Sequence, residues 1–445
     1  MAVSTSADYM RGLPEGPVHR WSRPFARFLR IESASGLILL VCTATALILA
    51  NSGAAGWFQS IWQTHARIGI GGFNLDKPLL LWINDGLMTI FFFVVGLEIK
   101  REMVIGELSE PRKAALPLVA ALGGMIAPAL IYLAFQGGEP GERGWGIPMA
   151  TDIAFVVGFL ALFGRRVPLG LKIMLLSLAI ADDIGAVLVI AVVYSSKLHL
   201  GIIGLAVAGF GLTWFFNRIG VRTVTIYVVV GACIWIAILK SGIHPTVAGV
   251  LLGLLTPASA WVGNESLRDV LADATHLLRN NSESQENHIA IKDRLAVMAR
   301  ESVSPLTRLE TALHPWVGFL IMPLFALANA GVTINASVAG HPVSIAVAIG
   351  LSVGKPLGIV LLCWIAVKFG IARLPAGVNW RMMVGAGALA GIGFTMSLFI
   401  TGLALPADML DAGKIGTLLG SLISAIVGSL LLWRYLPRPV LIQKG

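Results

Sequence analysis

The chain has 445 residues, of which 56% are hydrophobic and only 13% charged, with a mean hydropathy of +0.82. An average soluble domain carries about 25% charged residues, so this composition excludes an ordinary soluble enzyme and describes a polytopic membrane protein. The formal net charge of +9 does not point to nucleic acid, because the basic residues lie in short segments between apolar runs, where they act as topology signals.

In chain order, residues before Ile31 are polar and arginine-rich, without the apolar core of a signal peptide. The stretch 19–32, HRWSRPFARFLRIE, predicts a short helix in the membrane interface, with Trp21, Phe25, Phe28 and Leu29 inward and arginines outward. About twelve apolar spans follow on the ~20-residue expectation, near 34–51, 77–99, 114–136, 147–164, 169–194, 199–217, 223–240, 243–256, 314–331, 343–368, 380–402 and 413–435. An even number puts both termini on one side. Outer segments then hold Arg67, Lys77, Arg143, Lys197, Lys240 and Lys414, and most other basic residues fall on the opposite side, which predicts cytoplasmic termini. The expected organisation is a cytoplasmic segment 1–33, spans in 34–256, a cytoplasmic insertion 257–313, further spans in 314–435 and a tail 436–445.

Two connections stand out. Residues 66–76, ARIGIGGFNLD, read as two short alternating runs around Gly71 and Gly72, the signal of a small extracytoplasmic β-hairpin. In 257–312 two short surface helices are expected to flank a disordered tip near 280–287, NNSESQEN, which has little to bury. The three cysteines, Cys42, Cys233 and Cys363, each lie inside an apolar run and support neither a disulfide framework nor a metal cluster.

The central stretch is 178–187, LAIADDIGAV, which sets Asp182 beside Asp183 in the middle of an apolar run. A helix over 169–193 is about 37 Å long, so the pair falls near the bilayer midplane. A charge there costs about 2.5–3.5 kcal/mol even on a lenient scale. Adjacent carboxylates also repel, so something must bind or neutralise them. A structural staple to a lysine is one reading; a site that trades a proton for a cation is the other, and it follows more directly from the repulsion.

Breaks in two spans sharpen this. Gly146 and Pro148 precede Ala150, Thr151 and Asp152 in the fourth, and glycines crowd GAGALAGIGFTMS in the eleventh, beside Thr395. Such glycines can serve tight packing alone, but paired interruptions in two halves of a transporter point to an ion site and to inverted repeats. Asp152 would compensate positive half-helix ends at a crossing. Lys355, alone in the tenth span, needs a carboxylate, with Asp182 or Asp183 as partner. Asp85 in the second span either lines an entry path or bonds its neighbours. Glu98, Arg101 and Glu102 share one face of a helix end, and taken alone look like an ordinary solvated terminus. His244 and His314 begin spans, where histidine is usually structural though its charge changes near neutral pH. No nucleophile, phosphate loop or nucleotide-binding motif is present. That argues against an enzyme and leaves ion gradients as the energy source, with no cofactor. The alternatives are a sodium-coupled symporter of an organic anion and a cation channel.

Several motifs together resemble the bacterial NhaA family of sodium/proton antiporters: GLEIKRE at 96–102, ATDIAF at 150–155, RVPLGLKI at 166–173, AIADDIGA at 179–186, LKSGIHPTVAG at 239–249, LHPW at 313–316, GKPLGI at 354–359 and GIGFTMS at 391–397. The resemblance implies an all-α membrane fold of about twelve helices with inverted repeats and two broken, crossing spans. It implies that Asp183 is the principal carboxylate for Na+ or Li+, that Asp182 pairs with Lys355, and that Asp152 and Thr151 compensate the crossing. It places Glu98, Arg101, Glu102, His244, Glu310 and His314 in a pH-responsive cytoplasmic end. The activity implied is electrogenic, pH-regulated exchange of Na+ or Li+ for protons across the bacterial inner membrane by a homodimer. Two departures bear on the pH profile: Thr311 stands where the family has a histidine, and 257–306 is longer than usual.

Overall fold

The computed structural model describes residues 32–437, apart from 71–72, 196–197, 222 and most of 261–300. The expected interfacial helix at 19–32 and the tip near 280–287 lie outside the described residues. What is described is overwhelmingly helical, as uninterrupted apolar runs demand: inside a bilayer every peptide group must find its partner within the segment.

Helix α1 (Glu32–Ala50) is followed at a 115° bend by α2 (Ala55–Gln63), an amphipathic helix the hydropathy reading missed. Strands β1 (His65–Ile70) and β2 (Phe73–Pro78) then form the expected antiparallel hairpin, with Arg67 opposite Asp76 and Ile68 opposite Leu75. The chain continues through α3 (Leu79–Val104), α4 (Pro111–Gln136), a 3-10 segment (Glu142–Met149), α5 (Ile153–Phe163) and α6 (Leu169–Val193). Next come α7 (Leu200–Arg218), α8 (Val224–Ser241), the short α9 (Thr246–Leu255), α10 (Pro305–Asn329), α11 (Pro342–Lys368), α12 (Trp380–Ala390), α13 (Phe394–Ala404) and α14 (Leu410–Tyr435). Among the described residues nine helices are long and apolar enough to cross a membrane, and the α1–α2 and α12–α13 pairs qualify as two more if each is one bent span.

Two boundaries differ from the sequence reading. Helix α9 has only 10 residues, about 15 Å at 1.5 Å per residue, half the bilayer core. Helix α10 begins at Pro305, well before the expected 314, because Ser304 caps it by accepting from Thr307 N–H at 3.2 Å and proline suits the first turn. Glu310, expected in the insertion, therefore stands on the same helix as His314.

The centre of the bundle is set by burial. Over its most apolar stretch α6 is 61% buried, whereas α7 is only 11% buried and faces outward; only the former can enclose a charged group. Glycines bring backbones into contact beside it. A Cβ on Gly123 of α4 would run into Gly358 O of α11, and one on Gly358 into Gly123 O. This close approach holds Lys355 of α11 against α4, with its Cε next to Gly124.

Candidate ion site at the crossing of interrupted helices

Two interruptions meet beside α6. After Met149 the chain turns extended at Ala150 (ψ 148°) and Asp152 (ψ 99°) before α5 begins. Helix α12 stops at Ala390, and α13 restarts at Phe394 with a 47° change of direction. The backbones join directly: Asp152 N–H donates to Ile392 O at 2.7 Å. Glycine is required at Gly393, where a Cβ would meet Ala150 O at 3.0 Å and collide with Ser397 Oγ.

The charges follow the exposed peptide groups. Asp152, 1% exposed, caps α5 by accepting from Phe155 N–H at 3.3 Å with Oδ1. With Oδ2 it accepts from the Thr395 N–H at 3.1 Å and from the Thr395 hydroxyl, in the first turn of α13. One carboxylate thus serves two helix starts, where the peptide dipoles present positive charge. Helix and 3-10 ends present carbonyls, which meet donors instead. Lys355 Nζ donates to Met149 O, and Ser397 Oγ donates to Ile147 O at 2.8 Å. The Thr151 hydroxyl lies 2.7 Å from Asp182 Oδ2 and 3.0 Å from Ala390 O. Its single proton serves one of them at a time.

The two aspartates differ sharply. Asp182, 2% exposed, holds Lys355 Nζ at 2.6 Å on Oδ2 and leaves Oδ1 buried without a partner. Asp183 is 3% exposed and accepts no hydrogen bond among the described residues, while the charges of Asp182, Glu98, Lys355 and Asp152 all act on it. Lys355 is paired directly with Asp182, so Asp183 makes no ion pair of its own among the described residues. Orphaned carboxylate oxygens are the hard donors a small alkali cation takes. Among the described residues no group of three or more His, Cys, Asp or Glu side chains is arranged to hold a resident metal.

The remaining sequence candidates divide between the two ends of α3. Towards its C-terminus Arg101 pairs with Glu310 of α10 at 2.5 Å, Glu98 senses both charges, and Glu102 accepts from Ser177 of α6 at 2.7 Å. His314 is exposed on α10, one turn beyond Glu310. Thr311 donates to its own helix at Thr307 O, 2.7 Å away. His244 does not join this group, contrary to the expectation from resemblance. It stands at the hairpin end of α3, with Nε2 3.7 Å from Asp85 Oδ1 and Nδ1 2.8 Å from Thr246 Oγ1. The thirteen positions from Asp85 to Glu98 put about 20 Å between the two groups. Asp85 also receives Lys77 Nζ from β2 at 2.6 Å.

Sequence reasoning missed Ser177, Ser397, the Met149 carbonyl and Lys77. Ser397 lies inside GIGFTMS, and Lys77 follows a hairpin signal, so both were visible without a reason to single them out. It missed, too, that Lys355 follows a π-helical turn (Gly350–Gly354). Pro356 has no N–H for Ser352 O, which loosens the ladder there and turns the lysine inward.

These features define a polytopic helical membrane protein that buries paired carboxylates and a lysine where interrupted helices meet, the setting in which intramembrane charges handle ions. The family model described as Na+/H+ antiporter 1 matches residues 26–432, and the chain belongs to that family. It is 52% identical over 429 residues to the Na(+)/H(+) antiporter NhaA of Rhodopirellula baltica, covering 96% of this chain and 97% of the relative. It is 49% identical over 427 residues to Na(+)/H(+) antiporter NhaA 2 of Sorangium cellulosum, covering 93% and 91%. Over 432 residues it is 46% identical to the NhaA antiporter of Oleidesulfovibrio alaskensis, covering 95% and 96%.

Proposed function

We propose that the chain exports Na+ or Li+ in exchange for protons by alternating access at the Asp182/Asp183 site, electrogenically and under the control of cytoplasmic pH. The observation that supports this reading is the asymmetry of the pair: Asp182 is tied to Lys355, and buried Asp183 accepts no hydrogen bond and makes no ion pair among the described residues. Such a carboxylate is stable at depth only when a proton or a cation neutralises it, so the two ligands exclude each other. Protonated, the pair admits no sodium; deprotonated from the alkaline side, it takes the ion. Asp152, with Thr151, compensates the helix ends and keeps the crossing intact while the bundle moves.

More than one proton per cation makes the exchange electrogenic, and the Asp182–Lys355 pair is the natural second carrier, since parting it frees a charge. Glu98, Arg101, Glu102, Glu310 and His314 form the pH-responsive end, facing the cytoplasm together with both termini. Asp85 lines the opposite mouth, where His244 and Lys77 face it. A homodimer in the inner membrane, assembled through the hairpin, is the expected form.

The test is Na+-driven proton movement in sealed vesicles holding the purified chain, from about pH 6 to 9, with Asp183→Asn as control. Proton flux that needs Na+, rises with pH, responds to membrane potential and vanishes in the variant supports the proposal. Full exchange by Asp183→Asn refutes the site, and labelled Na+ flux with no proton movement refutes antiport.

A further inference from the structure

Several hydroxyls on these helices satisfy themselves on their own backbone: Thr43 donates to Leu39 O, Thr213 to Gly209 O and Ser352 to Ala348 O, each one turn back at 2.7–2.9 Å. That is the ordinary fate of a serine or threonine inside a helix. Ser177 departs from it, as Thr151, Thr395 and Ser397 do at the crossing, but it does so at the charged end of α3. Its hydroxyl, 1% exposed on α6, leaves its own helix and donates at 2.7 Å to Glu102 Oε1 at the end of α3. The same oxygen accepts the Glu107 N–H at 3.1 Å from the following turn. Gly106 makes room, since a Cβ there would run into the Glu102 carboxylate. The acceptor is therefore clasped from two sides and aimed at α6.

Ser177 lies five residues before Asp182 and six before Asp183 on one unbroken helix, about 7.5–9 Å along the axis. Its partner sits one turn from Glu98, whose charge acts on Asp183, and next to Arg101, which is paired with Glu310. Other charged groups near this stretch of chain are Lys100 on α3, which donates to Leu254 O, Glu107 in the turn and Lys172 on α6. A charge-assisted hydrogen bond is short and directional. It fixes the height of α6 against α3, and with it the height of the aspartate pair relative to Glu98.

We infer that Ser177 is a positioning residue for cation exchange, its hydrogen bond to Glu102 linking the charged end of α3 to the helix that carries Asp182 and Asp183. This rests on the antiport reading above. The full-length protein in sealed vesicles is assayed for Na+-driven proton movement across pH, alongside its melting temperature, for Ser177→Ala, Ser177→Thr, Glu102→Ala and the Ser177→Ala/Glu102→Ala double variant.

The expected result is a change of at least about fivefold in apparent KM for Na+ in Ser177→Ala, the lower end of site-to-site coupling, with a displaced pH profile. Glu102→Ala shifts the same way, the double variant shifts no further than the larger single one, and Ser177→Thr, which keeps the hydroxyl, behaves as the parent. Ser177→Ala with the parent's KM and pH profile overturns the inference, including when only its melting temperature falls, because a purely structural bond would do that. Additive shifts overturn it as well. A parent protein that moves no protons overturns the antiport reading and this inference together, whereas an active parent beside an unshifted Ser177→Ala overturns this one alone.

Discussion

Replacing Lys355 by methionine keeps the length and packing of its stem and removes the ammonium. In the parent, Lys355 is 1% exposed and its Nζ serves Asp182 Oδ2 at 2.6 Å and Met149 O. Without it Asp182 keeps one donor, Thr151 at 2.7 Å, while its Oδ1 has none. A buried carboxylate stripped of its counter-charge costs about 3–5 kcal/mol, a large share of a typical stability of about 5–15 kcal/mol. At about 2.1 cal/mol/K per residue the 445-residue chain shifts by about 1 °C per kcal/mol, so the melting temperature of the purified protein in detergent falls by about 3–5 °C. Adding Asp182→Asn removes the lone charge, so the double variant regains most of the loss, and the pair is strongly non-additive. Both variants are measured by thermal unfolding followed by size-exclusion chromatography. A Lys355→Met protein that melts with the parent, or a double variant that loses the sum of both single changes, refutes the claim that this ion pair holds α6 and α11 together.

At the crossing, Asp152→Ala orphans the Phe155 and Thr395 N–H groups, a loss of about 1–3 kcal/mol each, whereas Asp152→Asn keeps one oxygen for Thr395. Melting temperatures should fall in the order parent, Asn, Ala, and an Ala variant as stable as Asn would show that the two helix starts do not depend on this side chain. Gly123→Val or Gly358→Val should abolish folded yield in fluorescence-detected chromatography by forcing α4 and α11 apart. Gly201→Val, where a Cβ meets nothing within 4 Å, should be tolerated. In the hairpin, the hydrogen bond from His65 and the Arg67 guanidinium hold the Asp76 carboxyl below its ordinary range. A depressed carboxylate stabilises the folded form above its unfolded pKa, near 3.9, and the contribution disappears as pH falls through the lower folded value. Protection of the β1 amides, measured as exchange relative to the intrinsic rate at each pH, should fall in acid for the parent and lose this dependence in Asp76→Asn.

How much of this was legible beforehand depends on the kind of signal. Apolar run length gave most helix positions, because a bilayer forces each run to close its own hydrogen bonds. It failed where closure is local: the ten-residue α9, the early start of α10 set by the Ser304 cap, and α2, whose apolar face is too short to register as a span. Asp182, Asp183, Asp152 and Lys355 announced themselves because a charge in an apolar run is expensive and therefore conspicuous. Ser177 and Ser397 did not, since a hydroxyl costs little and usually bonds its own helix.

The sequence by itself determined that this chain lives in a membrane, that a pair of carboxylates sits at depth, and that a basic group must answer them. Only the tertiary structure decided the pairing. Lys355 could have met either aspartate, and which one it meets depends on the glycine contact between α4 and α11 and on the π-turn before Pro356. In the same way His244 falls beside Asp85 and not among the charges around Glu98, and the thirteen positions of α3 between Asp85 and Glu98 keep the two groups about 20 Å apart.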